Sequence, residues 1–148
     1  MKIEYRQGDL FKTEIKTIVH GCNAQGVMGS GVANIIREQY PEAYERYRNE
    51  YEKHNYLKLG DIISVPCNYK FIVNAITQEY FGRDNKRYVS YDAVDDVMVK
   101  LNKFYDIYGI SEIAMPKIGA GLGNGSWEVI EAIIENRLDT VKPVVYTM

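Results

Sequence analysis

Long apolar runs are missing from this 148-residue chain. None approaches the roughly 20 residues that a membrane-spanning helix needs. Cysteine is scarce: Cys22 and Cys67 form neither a disulfide framework nor a metal spacing, which points to a reducing compartment. Excess charge of one sign is missing too. With 18 Lys+Arg against 20 Asp+Glu there is no electrostatic case for bulk nucleic-acid or membrane-surface binding. No His, Cys and carboxylate cluster has ligand spacing, so neither a metal nor a cofactor is expected. Met1-Lys2 leads straight into a strand pattern without a signal peptide. These absences lead to the expectation of a soluble, cytoplasmic protein. No linker, internal repeat or low-complexity segment divides the chain, so residues 1–148 read as one domain, long enough to build its own core.

What the chain does have is glycine, concentrated in two places. Gly21–Ala33 reads GCNAQGVMGSGVA and follows the β-branched run Ile15-Lys16-Thr17-Ile18-Val19-His20. Gly26, Gly29 and Gly31 stand where a strand should turn into the helix Val32–Gln39. Their spacing is not G-x-G-x-x-G, and no G-K-[ST] follows, which excludes a dinucleotide fingerprint and a P-loop. Glycine lets a ligand come close to main-chain N–H groups. The first N–H groups of a helix lack internal partners and carry the positive end of its dipole. Strand, glycine loop and helix start therefore read as an anion site, most naturally for phosphate. The alternative is a tight turn whose glycines serve packing. A second loop, Lys117–Gly125, follows the short strand Ile113–Pro116 and precedes a helix that Ser126 can cap. Both loops should lie on the carboxyl edge of one sheet, where two of them can grip a diphosphate.

Other residues admit two readings. Asp9, after the first strand, can cap a short turn or face a ligand. His20 closes the second strand as a structural hydrogen-bonder or as a site residue. Asn23 can donate and accept together, which suits a pair of ribose hydroxyls, while Cys22 reads as small and buried. Tyr40, Tyr44, Tyr47 and Tyr51 give one helix an aromatic face, taken as core. Gln78–Tyr88 reads as a long polar loop, either a lid whose Arg83 and Lys86 meet phosphate or a solvated connection. Tyr91–Tyr108 reads as a single helix ended by Gly109.

Four pieces in order resemble a macrodomain, the ADP-ribose-binding fold: Gly8-Asp9-Leu10-Phe11; His20-Gly21-Cys22-Asn23 through Met28-Gly29-Ser30-Gly31-Val32-Ala33; Met115-Pro116-Lys117-Ile118-Gly119-Ala120-Gly121-Leu122; and Val145-Tyr146-Thr147-Met148. The resemblance implies a three-layer α/β/α fold with a mixed, mostly parallel sheet of about six strands. It also implies ADP-ribose, or ADP-ribose 1''-phosphate, as the ligand. Asp9 would accept from the adenine amino group and Leu10 would offer its backbone N–H, with Tyr146 and Met148 framing that end. Met28, Gly29, Ser30, Gly31 and Val32, together with Ile118, Gly119, Ala120, Gly121 and Leu122, would hold the diphosphate, chiefly through backbone N–H groups. Asn23 would meet the distal ribose. The short macrodomains that this chain resembles include ADP-ribose 1''-phosphate phosphatases and terminal ADP-ribose protein glycohydrolase. The glycohydrolase pattern has a lysine after the Ile-Thr pair and an aspartate after the second loop's leucine. Here Gln78 and Gly123 stand in those places. His20 matches the phosphatase branch, so His20 and Asn23 are the catalytic candidates for removal of the terminal phosphate.

Overall fold

A computed structural model describes residues 1–82 and 84–148. The strands are β1 (Glu4–Gln7), β2 (Thr17–Asn23), β3 (Ile62–Cys67), β4 (Lys70–Gln78), β5 (Glu112–Met115) and β6 (Lys142–Thr147). The helices are α1 (Gly31–Gln39), α2 (Pro41–His54), α3 (Tyr91–Leu101), α4 (Phe104–Tyr108) and α5 (Trp127–Arg137). A 3₁₀ turn, Leu10–Lys12, follows β1.

The strands form a 6-stranded sheet in the order β1-β6-β5-β2-β4-β3. Only β3, at one edge, runs antiparallel to its neighbour. Pro66 lies on this edge strand, where a missing N–H costs no ladder bond. The core strands are apolar on both faces, as strands covered by helices on each side must be. Alternation then assigns the layers. Val19, Val73, Ala75, Ile113, Met115 and Val145 pack with Val94, Val97, Met98, Leu101, Ile130 and Ile134 of α3 and α5. Ile18, Cys22, Ile72, Ile76, Ala114 and Val144 pack with Ile36, Ala43 and Tyr47 of α1 and α2. The mixed, mostly parallel three-layer architecture expected from the sequence is the one observed. Tyr47 is core, as expected, with no exposed surface.

The helical segment 91–108 is a correction. It is two helices, broken after Leu101. The cause is long-range: the Asn102 carbonyl accepts the Thr140 hydroxyl at 2.6 Å instead of continuing the helix ladder. The Asn102 Oδ1 accepts the backbone N–H groups of Asp139 (2.9 Å) and Thr140 (3.1 Å), which lie just before β6. Gly109 does end α4 in the left-handed region, φ 71°. The second strand does not close at His20, since β2 runs through to Asn23. Asn102→Ala is expected to lower the unfolding free energy by about 1–2 kcal/mol in a urea titration. An unchanged midpoint would show that apolar packing alone holds the junction.

Candidate functional site

The site begins where β2 stops being regular. Its register with β4 shifts between Cys22 and Asn23. Such a bulge re-aims the next side chain. The Asn23 Oδ1 accepts the backbone N–H groups of Gln25 (3.0 Å) and Val27 (3.3 Å) and the Tyr47 hydroxyl (3.0 Å). Its Nδ2 donates to the Val27 carbonyl at 2.8 Å. An amide nitrogen carries two hydrogens, so one donor is left over. Tyr47 also donates to the Asn23 carbonyl at 2.6 Å, fixing the loop to α2.

Ser30 enters α1 in extended backbone, and its side chain makes no capping bond. By contrast, Ser90 and Ser126 cap α3 and α5 by accepting from Ala93 and Val129. The positive end of α1 is thus left without a side-chain acceptor where Ser30, Gly31 and Val32 line a cleft. The second loop supplies the facing wall. Its turn depends on Gly119, at φ 78°, where a Cβ would stand 2.7 Å from Val89. Between the loops β2 presents bare backbone at Gly21. A Cβ there would lie 2.8 Å from Thr77 Oγ1 and 3.1 Å from Ile118.

A cavity of about 370 Å³ is lined by Asn23, Gly29, Ser30, Gln78, Phe81 and Leu122, among others. Its neighbour, of about 470 Å³, is lined by Gly31, Val32 and the stretch from Pro116 to Gly123. Gly21, Ser30, Ala33, Gln78 and Leu122 belong to both, so the two loops open on one continuous cleft. The cleft therefore brings together Asn23, Gly29, Ser30, Gly31, Val32, Ile118, Gly119, Ala120, Gly121 and Leu122. The two departures from the glycohydrolase pattern also meet: a Cβ at Gly123 would stand 3.2 Å from Gln78 Oε1. Thr77 Oγ1 is buried without a hydrogen-bond partner among the described residues.

Other expected residues lie elsewhere. The Met28 side chain is fully buried in the core, and so is nearly all of Leu10. Asp9 Oδ1 caps its own turn by accepting Phe11 N–H at 2.9 Å, and one cap bond occupies only one of its two carboxylate oxygens. It sits on the sheet's carboxyl edge three strands from β2, about 14 Å away at the usual strand spacing. The Tyr146 hydroxyl bonds Thr13 Oγ1 at 2.8 Å, and Met148 is 95% exposed. Lys86 lines a separate hollow with Tyr88 and Tyr91, not the cleft. Arg83 lies outside the described residues.

His20 requires the clearest correction. Its ring has no exposed surface and does not line the cleft. Nε2–H donates to Asn74 Oδ1 at 2.6 Å, and Asn74 Nδ2 donates in turn to the Ala43 carbonyl at 3.1 Å. Burial lowers the His20 pKa from 6.5 to about 4, against a smaller opposing effect of the Asn74 bond. A neutral, enclosed imidazole cannot orient an attacking water in the cleft. Its role is structural, the other reading of a lone strand-end histidine. Cys22 is buried beside it, and burial pushes its thiol pKa up.

An open α/β sheet with two glycine loops bordering one cleft at its carboxyl edge is an arrangement in which phosphorylated ligands are commonly held. Residues 19–134 match the family model described as Macro domain, and the chain belongs to that family. It is similar to the ADP-ribose 1''-phosphate phosphatase of Meyerozyma guilliermondii, 28% identical over 90% of this chain and 93% of that one. It is similar to the DNA ADP-ribosyl glycohydrolase of Mycobacterium tuberculosis, 27% identical over 97% of this chain, which spans only 42% of that protein. A solved structure of a protein of unknown function from Bacteroides thetaiotaomicron superposes with a TM-score of 0.88 at 31% identity, covering 100% of this chain and 99% of that one.

The His20 geometry fixes a pH dependence. The unfolded chain binds the proton near pH 6.5 and the folded chain only near 4, so stability is full above 6.5 and falls as pH drops toward 4. The loss attributable to this group is about 3 kcal/mol. NMR of the ring should show no titration between pH 8 and 5.5, and denaturant titrations should show the decline. A ring titrating near 6.5 in the folded protein would contradict the enclosed geometry.

Proposed function

We propose that this macrodomain binds ADP-ribose and hydrolyses the terminal phosphate of ADP-ribose 1''-phosphate. One observation carries the binding half: the two glycine loops open on one cleft. In this reading the backbone N–H groups of Gly29–Val32 and, in the second loop, of Gly119, Gly121 and Leu122 hold the diphosphate, since those of Ile118 and Ala120 are bonded to the Pro116 and Lys117 carbonyls. The remaining Nδ2 hydrogen of Asn23 meets the distal ribose. The adenine lies toward the β1–β6 end, with Asp9 and the Leu10 N–H as its partners. The likeness to a yeast ADP-ribose 1''-phosphate phosphatase supports the reaction. The two cysteines, both free and buried, fit a cytoplasmic setting, and no helix among the described residues is long and apolar enough to cross a membrane.

Hydrolysis breaks the bond between phosphorus and the C1'' oxygen; water adds to phosphorus and the ribose oxygen leaves with a proton. Backbone N–H groups of the Asn23–Gly31 loop can stabilise charge on the phosphoryl oxygens. With His20 enclosed, the described residues beside Asn23 supply no carboxylate, imidazole or lysine to take the water's proton. That proton then passes to a phosphate oxygen of the substrate itself, and the reaction is slow. The same observation favours a second reading, a module that binds ADP-ribose and leaves it intact.

Titration calorimetry is expected to give an affinity for ADP-ribose at least about 10-fold above that for AMP, because AMP leaves the distal part of the cleft empty. Equal affinities would mean that the second loop contributes nothing. Phosphate release from ADP-ribose 1''-phosphate is expected above background. Binding without release would leave the module reading standing. Release of ADP-ribose from a glutamate-linked protein is expected to be negligible, because Gln78 cannot act as an amine nucleophile. Rapid release there would overturn the argument from Gln78 and Gly123.

A further inference from the structure

The sheet ends at β3, which has a neighbour on one side only. The Asp61 carbonyl accepts the Ile76 N–H at 2.9 Å. Ile63 and Val65, in step with Asp61, therefore turn their backbone groups toward β4. Alternation turns the N–H and C=O groups of Ile62 and Ser64, and the Pro66 carbonyl, out of the sheet. A hollow lies on each side of this bare edge. On the α2 side, one of about 670 Å³ is lined by Arg46, His54, Lys58 and Ile63, among others. On the α4 side, one of about 380 Å³ is lined by Lys103, Phe104, Ile107 and Tyr108, among others. Ile62 and Ser64 line both. Strand addition needs this layout, in which main-chain groups give affinity and flanking hollows receive alternate side chains.

The two hollows differ in chemistry. The α4 side is apolar and open, with Ile107 62% and Tyr108 56% exposed. Tyr108 is held edge-on against Phe71 and Phe104, at ring-centre distances of 5.5 and 5.2 Å. The α2 side is charged. Its carboxylates are already paired, Glu50 with Lys53 at 3.6 Å and Asp61 with Lys100 at 3.0 Å. Arg46 and Lys58, both exposed, have no carboxylate partner among the described residues. We propose that the β3 edge is a docking site for an extended segment of another protein in which carboxylate and apolar side chains alternate. The segment adds to β3 as a further strand, with its carboxylates facing Arg46 and Lys58 and its apolar side chains facing Phe104, Ile107 and Tyr108. Pro66 offers no N–H, which keeps the pairing short. A second copy of this chain is the poorer occupant. It would set like charges against each other, and Pro66 would leave a carbonyl of the facing strand without a donor. None of these residues lines the cleft, so the two sites stand or fall separately.

The probes are the synthetic peptide Glu-Val-Glu-Val-Glu-Val-Glu, blocked at both ends, and its counterpart with Lys in place of every Glu. In titrations followed by backbone amide NMR, the acidic peptide should bind about 10-fold more tightly than the basic one, and added salt should shrink the difference. Hydrogen exchange at Ile62 and Ser64 should slow on binding, while Ile63 and Val65, already bonded to β4, should not change. The double variant Arg46→Glu, Lys58→Glu should reverse the preference, and unchanged exchange at Ile63 and Val65 shows that it is folded. Ser64→Pro, which removes an outward donor but no ladder bond, should abolish binding. No binding of the acidic peptide, equal affinities for the two peptides, an unchanged preference in the double variant, or protection away from β3 would each overturn the proposal. Slowed exchange at Ile62 and Ser64 on raising the protein concentration alone would also overturn it, by giving the edge to a second copy.

Discussion

The Asn23 side chain is the constraint on which the site depends. It stands where the central strand must stop and a loop must start, and it satisfies four backbone or hydroxyl partners at once. Without those bonds the N–H groups of Gln25 and Val27 would need other acceptors in a partly buried loop. The cost of such an orphan is about 1–3 kcal/mol each. Tyr47 makes the arrangement rigid by reaching from α2 into the same knot. Everything downstream inherits that rigidity. The loop leaves β2 in a fixed direction, Ser30 arrives extended, and α1 points its N-terminus across the cleft.

The cleft carries little charge of its own. In the proposed reading its loops offer backbone N–H groups, which are dipoles rather than ions. Lys117, at the rim, lies 5.9 Å from the centre of the Trp127 ring. A site of this kind does not raise the net charge of the protein, which stands at -2. It also fixes its donors before the ligand arrives, so little ordering is needed on binding. The same economy limits the chemistry. Backbone dipoles can stabilise an oxyanion, but they cannot take up a proton. Binding therefore follows from this architecture more directly than turnover does.

Much of this was legible in the sequence because it was local. Glycine spacing after a β-branched run gave the first loop, Ser126 gave a helix start and Gly109 gave a helix end; each depends on a few neighbouring residues. The three-layer order follows from apolar runs that a two-sided sheet requires. What stayed hidden depends on partners far along the chain. His20 is a core residue because Asn74 waits for it on β4, and sequence position cannot reveal that pairing. The break after Leu101 depends on Thr140. Segment 78–88 reads as a long polar loop, and the bonds from Asn124, about 40 residues on, to the Asp84 and Lys86 carbonyls are not visible in its composition. Phe81 gave no signal at all beyond being an aromatic residue in a polar stretch.

Asn124 also shapes the second loop. It sits at φ 55°, a conformation that asparagine tolerates better than most residues. The Asn124 N–H bonds back to the Gly121 carbonyl at 3.0 Å, and Gly125 N–H bonds back to Gly119 at 2.9 Å. These two bonds close the loop on itself before Ser126 caps α5. The closure leaves the Asn124 amide bonded to the Asp84 and Lys86 carbonyls. One short segment thereby lines the cleft, leads into α5 and holds residues 84–89. A change in any of these bonds is transmitted to the other two, because packed hydrogen-bonded turns do not deform continuously. The second loop therefore borders the cleft and holds residues 84–89 through the same few bonds.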